Sequence, residues 1–206
     1  MGDMTRAGLA ASLEKSLMDS ASVFGGEFGR LLDCALEDYS RRRPRVLAGK
    51  LQLEPGRITY PCPADYRALG AVFWASAQRQ TLKPWQPGFP VRLPRLSVIH
   101  TETGRQFMFD VPPTSDQIGC YGAEYPYTYH ALHALGDDSG RTTVPEHDRG
   151  LLLLRATAEA MREMSMRNVK KPISTQDTIG GQTRTGTPGA LFEIFMEAFE
   201  KQVCRD

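Results

Sequence analysis

The sequence predicts an α+β protein in which helices from both ends of the chain enclose an inserted antiparallel β module. Two observations carry this. The ends are rich in Ala, Leu, Met and Glu with apolar residues at helical spacing, whereas eleven of the fourteen prolines, from Pro44 to Pro126, and both tryptophans fall in the middle. The middle alternates apolar and polar residues in short runs between turn formers, the period of strands with one buried face. The expected division is a helical bundle from residues 1–44 plus 143–206 and a β-rich inserted module from 45–142.

The elements follow in order. Leu9, Leu13 and Leu17 recur every four residues and predict a helix from Met4 to about Met18, broken by Gly25 and Gly26. Phe28, Leu31, Leu32, Ala35 and Leu36 predict a second, which ends between Tyr39 and Arg42 because Pro44 bars its predecessor from helical geometry. Residues 46–53 and 96–110 alternate as strands, with Thr103-Gly104 as the hairpin turn of the second run. Prolines 84, 87, 90 and 94 cannot donate to a ladder, so 83–94 is expected as a loop or edge held down by Trp85 and Phe89. Thr143-Val144-Pro145-Glu146 has the form of a capping box opening a long helix to about Val169. Leu151, Leu154, Ala158, Met161 and Ser165 keep heptad spacing, while Leu152, Leu153, Ala156 and Met164 widen the apolar surface, so this helix is expected to be buried on several sides. Residues 170–186 are polar, hold Gly180-Gly181, and are expected as a long mobile loop. Thr187-Pro188 then opens a last helix, apolar on one side and bearing Glu193, Glu197, Glu200 and Lys201 on the other.

Composition narrows the function classes. At 206 residues the chain is long enough for a buried core, and 41% hydrophobic with 24% charged residues sets it apart from collagen-like, disordered and membrane classes. With 25 Lys and Arg against 24 Asp and Glu, the formal charge of +1 supplies no global attraction to DNA or lipid, and any nucleic-acid contact is expected to be local. The apolar run Leu151 to Leu154 stops at Arg155, whereas a membrane helix needs about 20 mainly apolar residues. Asp3, Arg6 and Glu14 fit neither a secretory signal nor a myristoylation motif, so the chain is expected to stay in the compartment where it is made. Cys34, Cys62, Cys120 and Cys204 form no C-x-x-C pair, which points to a reducing compartment without a zinc clamp.

No catalytic, cofactor-binding or metal-binding residue emerges. His130 and His133 would need Cys120 or His147 to complete a metal site, and the spacing matches no zinc pattern; the histidines are expected to cap a strand or pack under the long helix. Asp137-Asp138-Ser139-Gly140 lacks the distal Glu of a calcium loop and reads as a polar turn. Residues 181–186 have a phosphate-loop frame, yet Thr187-Pro188 stands where Lys and Ser/Thr are required. No hydrolase elbow, metalloprotease or dinucleotide motif is present, and Glu37-Asp38 reads as a solvated helix face. Two clusters remain. Arg41, Arg42, Arg43 and Arg45 either complement the carbonyl end of the second helix or form a subunit interface or DNA-channel contact. Leu191, Phe192, Phe195, Phe199 and Val203 are either core or, behind a tether, a docking row.

Asp38-Tyr39-Ser40-Arg41-Arg42-Arg43-Pro44 after an Ala/Leu helix, Tyr60-Pro61-Cys62-Pro63-Ala64-Asp65-Tyr66, and Tyr125 to His130 followed by Thr143-Val144-Pro145 resemble, in order and spacing, the head-to-tail connector (adaptor or head-completion) proteins of tailed bacteriophages. The resemblance spans about Thr5 to Val169. It implies a non-catalytic virion protein of the phage neck, made in the bacterial cytoplasm and assembled as a twelve-membered ring between the portal protein and the stopper or tail-tube proteins. Packaged DNA would pass close by, with no membrane and no cofactor involved. It further implies that the C-terminal segment, here Leu191 to Val203, reaches the portal, with 170–186 as its tether. The insertion at 83–94 and the Gly/Thr-rich tether depart from the family pattern, which bears on ring size and contacts. A tail terminator or tail-completion ring is the nearer alternative. A β-rich binding domain, or an enzyme with a site around His130, His133 and Cys120, is the more distant one.

Overall fold

The computed structural model describes residues 3–102, 104–138, 140–167, 172–176 and 183–204. In chain order its elements are α1 (Arg6–Leu17), α2 (Phe28–Arg42), β1 (Arg45–Gln52), β2 (Thr59–Pro61), β3 (Tyr66–Val72), α3 (Ser76–Thr81), β4 (Leu96–Thr101), β5 (Gly104–Phe109), α4 (Ser115–Tyr121), β6 (Glu124–Ala131), α5 (Arg149–Met166), β7 (Ile173–Gln176), β8 (Thr183–Gly186) and α6 (Pro188–Val203). Short 3-10 helices occupy Met18–Phe24 and Glu146–Asp148. Mixed helix and antiparallel sheet make this an α+β protein. The chain divides into a helical unit, Met1–Pro44 with Leu132–Asp206, and a β unit, Arg45–Ala131.

The helical unit is built around α5, which packs against α1, α2 and α6. Every residue from 151 to 161 is buried, so this helix is apolar nearly all round because it has neighbours nearly all round. Leu9, Leu13 and Leu17 of α1 and Leu31, Leu32 and Ala35 of α2 meet it with no exposed side-chain surface. Thr5 caps α1 by accepting from the Gly8 N–H at 3.0 Å. Gly25 and Gly26 turn the chain into α2 at φ +56° and +87°, a region closed to most side chains.

Several expectations are corrected here. Thr143 does not cap the long helix: its hydroxyl accepts from the Ala134 N–H at 2.8 Å, and a 3-10 turn precedes the α-helical start at Arg149. The expected end at Val169 lies outside the described residues. The stretch 170–186 is not simply a loop, because β7 and β8 pair as an antiparallel hairpin. Ile173 is half-buried, and Thr175, fully buried, donates its hydroxyl to the Ser16 carbonyl at 2.7 Å, a seat on α1 that polar Thr-rich strands reach by hydrogen bonding instead of apolar burial. Gly180-Gly181 falls outside the described residues. Residues 132–142, grouped with the β module by pattern, belong to the helical unit. Arg6 N–H donates to Gly136 O at 3.0 Å, Thr142 Oγ1 to Met4 O at 2.8 Å and His133 N–H to Ser40 Oγ at 3.0 Å, and such polar ties carry no periodicity to read.

The β unit holds two three-stranded antiparallel sheets, ordered β1-β6-β3 and β2-β5-β4. Tyr125, Tyr127 and Tyr129 alternate along β6 and share one buried face. Phe107 meets Tyr127 edge to face at 5.2 Å and Phe109 meets Tyr125 at 5.0 Å, so the core is mainly aromatic. A Cβ on Gly49 would lie 2.4 Å from the Tyr127 ring, so only glycine fits there. The β4–β5 hairpin forms as expected, although Thr103 itself lies outside the described residues. Residues 83–94 form no helix or strand, yet Trp85 is 77% exposed and does not hold them down. Trp74 is the buried tryptophan, donating its indole N–H to the Gly122 carbonyl at 3.0 Å. Trp85 sits in a turn at the surface, closed by the Gln86 N–H donating to the Lys83 carbonyl at 2.9 Å, and the Lys83 ammonium lies 5.4 Å from its ring. Among the described residues no helix is long and apolar enough to cross a membrane.

Candidate functional site

Within the helical unit the end of α2 faces the entry to α5. Tyr39 lies buried on α2 and donates its hydroxyl to Asp148 Oδ2 at 2.6 Å. Arg43, just past α2, donates Nη1 to both oxygens of Asp148 at 3.0 and 3.2 Å. Its Nε and Nη2 donate to the Val203 and Gln202 carbonyls at 3.1 and 3.2 Å, so it complements the carbonyl end of α6 and not that of its own helix. His133 completes the junction: Nδ1 lies 2.9 Å from the Thr143 carbonyl oxygen, Nε2 lies 3.0 Å from that of Arg43, and the ring packs edge-on to Tyr39 at 5.1 Å. Burial, with the Asp148 carboxylate at bonding distance, pushes the Tyr39 phenol well above the usual tyrosine range, so it stays a donor at any physiological pH.

The four arginines singled out in the sequence do not form one cationic patch. Arg41 pairs with Glu37 at 2.5 Å and Asp38 at 3.3 Å on its own helix, Arg42 reaches Glu200 of α6 at 3.4 Å, and Arg43 is held as described. Arg45 opens β1 in the β unit, opposite Ala131. Arg41, Arg42 and Arg43, expected either to complement a helix end or to meet a neighbouring subunit or DNA, each have a carboxylate partner within the chain. Only Arg43 is well buried; the others, about half-exposed, contribute little to stability.

Of the two readings of the apolar row of α6, core and docking row, burial favours the core. Leu191, Phe195, Phe199 and Val203 are 1–6% exposed and belong to the core with α5, so they present no surface to a partner, and Phe192 is half-buried against the same core. The outward face of α6 carries Glu193, Ile194 and Glu197, with Ile194 41% exposed.

A second polar network was not visible in the sequence. Arg155, 5% exposed in the middle of α5, pairs with Asp38 of α2 at 2.5 Å and with Glu159 at 3.0 Å, and Arg162 adds a contact to Glu159 at 3.2 Å. Asp38 is thus no solvated surface charge but the partner of a buried cation. Glu163 is bonded by Arg30 and Arg167; burial alone would raise its pKa, and the two guanidiniums outweigh that and hold it below the usual glutamate range. An i, i+4 acid-base pattern on an apolar helix was the available signal for Arg155 and Glu159. Asp148 offered none, since Tyr39 stands 109 residues away. Among the described residues no group of three or more His, Cys, Asp or Glu side chains could hold a metal ion. His130 lies on β6 in the β unit and His133 in the helical unit, and Cys120 is exposed on α4. No protein-family model matches the chain, and no curated protein matches it.

Proposed function

We propose that this chain is a non-catalytic structural subunit of a tailed-phage neck. Copies of it form a ring, twelve-membered in this reading, that joins the portal vertex to the stopper or tail and continues the DNA channel. The protein is made in the host bacterial cytoplasm and ends in the virion.

The observation that carries the proposal is the meeting of Tyr39, Arg43 and Asp148. Tyr39 and Arg43 belong to the Asp38 to Pro44 motif, one of those through which the chain resembles connector proteins, and Asp148 follows three residues after another, Thr143-Val144-Pro145, so the bonds among the three residues tie the neighbourhoods of two distant motifs together. Motifs that are short and degenerate gain weight when they serve one another physically. Internal pairing of Arg41, Arg42 and Arg43 also suits a part beside moving DNA, because unpaired guanidiniums would hold phosphates. Portal contact in this reading uses the outward face of α6 around Ile194, in place of the buried aromatic row.

Native mass spectrometry of the protein alone and with the portal protein of the same virus tests the assignment. Twelve copies on a portal ring are expected. A six-fold species that ignores portal would move the protein to the tail end, and a monomer indifferent to portal would overturn the neck assignment.

A further inference from the structure

One cavity of the β unit gathers three arginines that no described carboxylate pairs. It measures about 620 Å³ and is bordered by α3, by the strap of residues 91–95 that leads into β4, and by the connection from β5 to α4. Arg79 of α3 and Arg92 and Arg95 of the strap line it, all exposed and none with an ion pair among the described residues. Lys50 and Arg57 of the same unit, by contrast, pair with Glu124 and Glu54. Asp110 is the acid among the lining residues, and its Oδ1 is turned to backbone, accepting from the Arg95 and Val111 N–H groups at 2.7 and 2.8 Å.

The strap is fixed where the arginines leave it, although it forms neither helix nor strand. Gln117 donates its Nε2 to the Arg92 carbonyl at 3.0 Å, while its Oε1 accepts from the Thr114 N–H in the capping box of α4. Three residues on, the Asp110 N–H donates to the Arg95 carbonyl at 3.1 Å, and Pro94 beside it is buried. Two of the guanidinium stems therefore start from held backbone, which lowers the entropy lost on closing around an anion. Val91 and Val111, 77% and 57% exposed, add apolar surface to the same walls. Arg79 and Arg95 also line an adjoining cavity of about 460 Å³ together with Tyr125, which is 2% exposed and whose hydroxyl has no hydrogen-bond partner among the described residues.

We propose that this cavity binds a phosphate monoester carried on a small apolar or aromatic body. Three guanidiniums against one carboxylate leave two positive charges, which match the nearly two negative charges of such an ester at neutral pH and which a single carboxylate would half satisfy. Guanidinium forks suit phosphate oxygens, and the body of the ester then rests against Val91 and Val111. Valine walls and a carboxylate inside the site favour a small ester over a nucleic-acid backbone, which is held by cationic surface alone. A free small molecule and a phosphorylated peptide side chain share this chemistry, and the probes below separate them. The inference concerns the β unit alone and does not depend on the ring assignment, so either can fail without the other.

Isothermal titration calorimetry of the full chain tests it with phenyl phosphate, a phosphotyrosine peptide, phenylacetate and a DNA duplex. Phenyl phosphate is expected to bind saturably, roughly tenfold or more weaker after Arg92→Gln or Arg95→Gln, with phenylacetate weaker by a similar factor. Arg67→Gln, an exposed change on β3 away from this cavity, should leave binding unaltered. The substituted arginines are all exposed, so unchanged thermal unfolding would confirm that the variants fold. Tighter binding of the phosphotyrosine peptide than of phenyl phosphate would assign the ester to a partner protein, and the reverse order to a small molecule; either supports the site. The proposal is overturned by absence of saturable binding, by equal binding of phenylacetate, or by an equal loss with Arg67→Gln. Tighter binding of the duplex that the Arg92 and Arg95 variants weaken would also overturn it, by assigning the arginines to nucleic acid.

Discussion

At Asp148 one carboxylate accepts from Tyr39 and Arg43, and through Arg43 it is tied to the last carbonyls of α6. The Asp148 and Arg43 side chains are 9% and 18% exposed, so removing one leaves the other's charge poorly solvated. Asp148→Ala is expected to cost about 3 kcal/mol and Tyr39→Phe about 1 kcal/mol in urea unfolding, with a non-additive double variant because both changes act on one network. Glu163 adds a pH signature. Its lowered pKa means that its pairing with Arg30 and Arg167 stabilises the folded state fully above the ordinary glutamate pKa, and that this contribution is lost as pH falls through the folded value. Glu163→Gln is expected to be less stable than the parent at pH 7 by roughly 1 kcal/mol, and urea midpoints of the two should converge on acidification below about pH 4.3. A gap that stays constant down to pH 3 would remove Glu163 from the account.

On the scale of elements, α6 separates core from surface along a single helix. Phe195, 1% exposed, sits in the core, and Phe195→Ala is expected to destabilise the helical unit by about 3–5 kcal/mol, read as a fall in the unfolding midpoint. Ile194, one residue earlier, is 41% exposed. Ile194→Asp should leave stability within about 0.5 kcal/mol and, under the neck assignment, remove portal binding in a pull-down. The helix faces of α1, α2 and α6 were legible because a repeat of three to four residues is set locally by the geometry of the helix. The β7–β8 hairpin was not, since Ser174, Thr175 and Thr185 carry little apolar contrast and the pairing is held by the partner strand and by Ser16 of α1. The same holds for Thr143, whose hydroxyl had two suitors, the helix amides and Ala134, and the chain's path chose the second.

The molecule as a whole stores much of its β core in tyrosine. Burial pushes Tyr125 and Tyr127 up to about 12, and Tyr39 higher still. Below about pH 10 these phenols are protonated whether the chain is folded or not; above it the unfolded chain releases protons that the folded one keeps. Stability is therefore expected to fall as pH rises from about 10 to 12, seen as declining urea midpoints, and Tyr127→Phe should flatten that decline. Charge is divided as well, with nine basic and six acidic residues in the β unit against sixteen and eighteen in the rest. A balance of +1 for the chain thus conceals two units of opposite sign.

What the sequence by itself determined is the α+β class, the order of helix, strands and helix, and the buried face of each long helix. All of these follow from composition and from periodicities that extend over a few residues. Only the tertiary structure decided that the chain rejoins the helical unit at Leu132, that Arg43 closes α6 and Arg155 lies buried against Asp38, that Trp74 and not Trp85 enters the core, and that β3 and β4 end their sheets. Each of these depends on which distant segment arrives beside a residue. A guanidinium, an indole or a strand edge has the same local sequence whether its partner is water, a carboxylate from across the chain, or nothing yet bound.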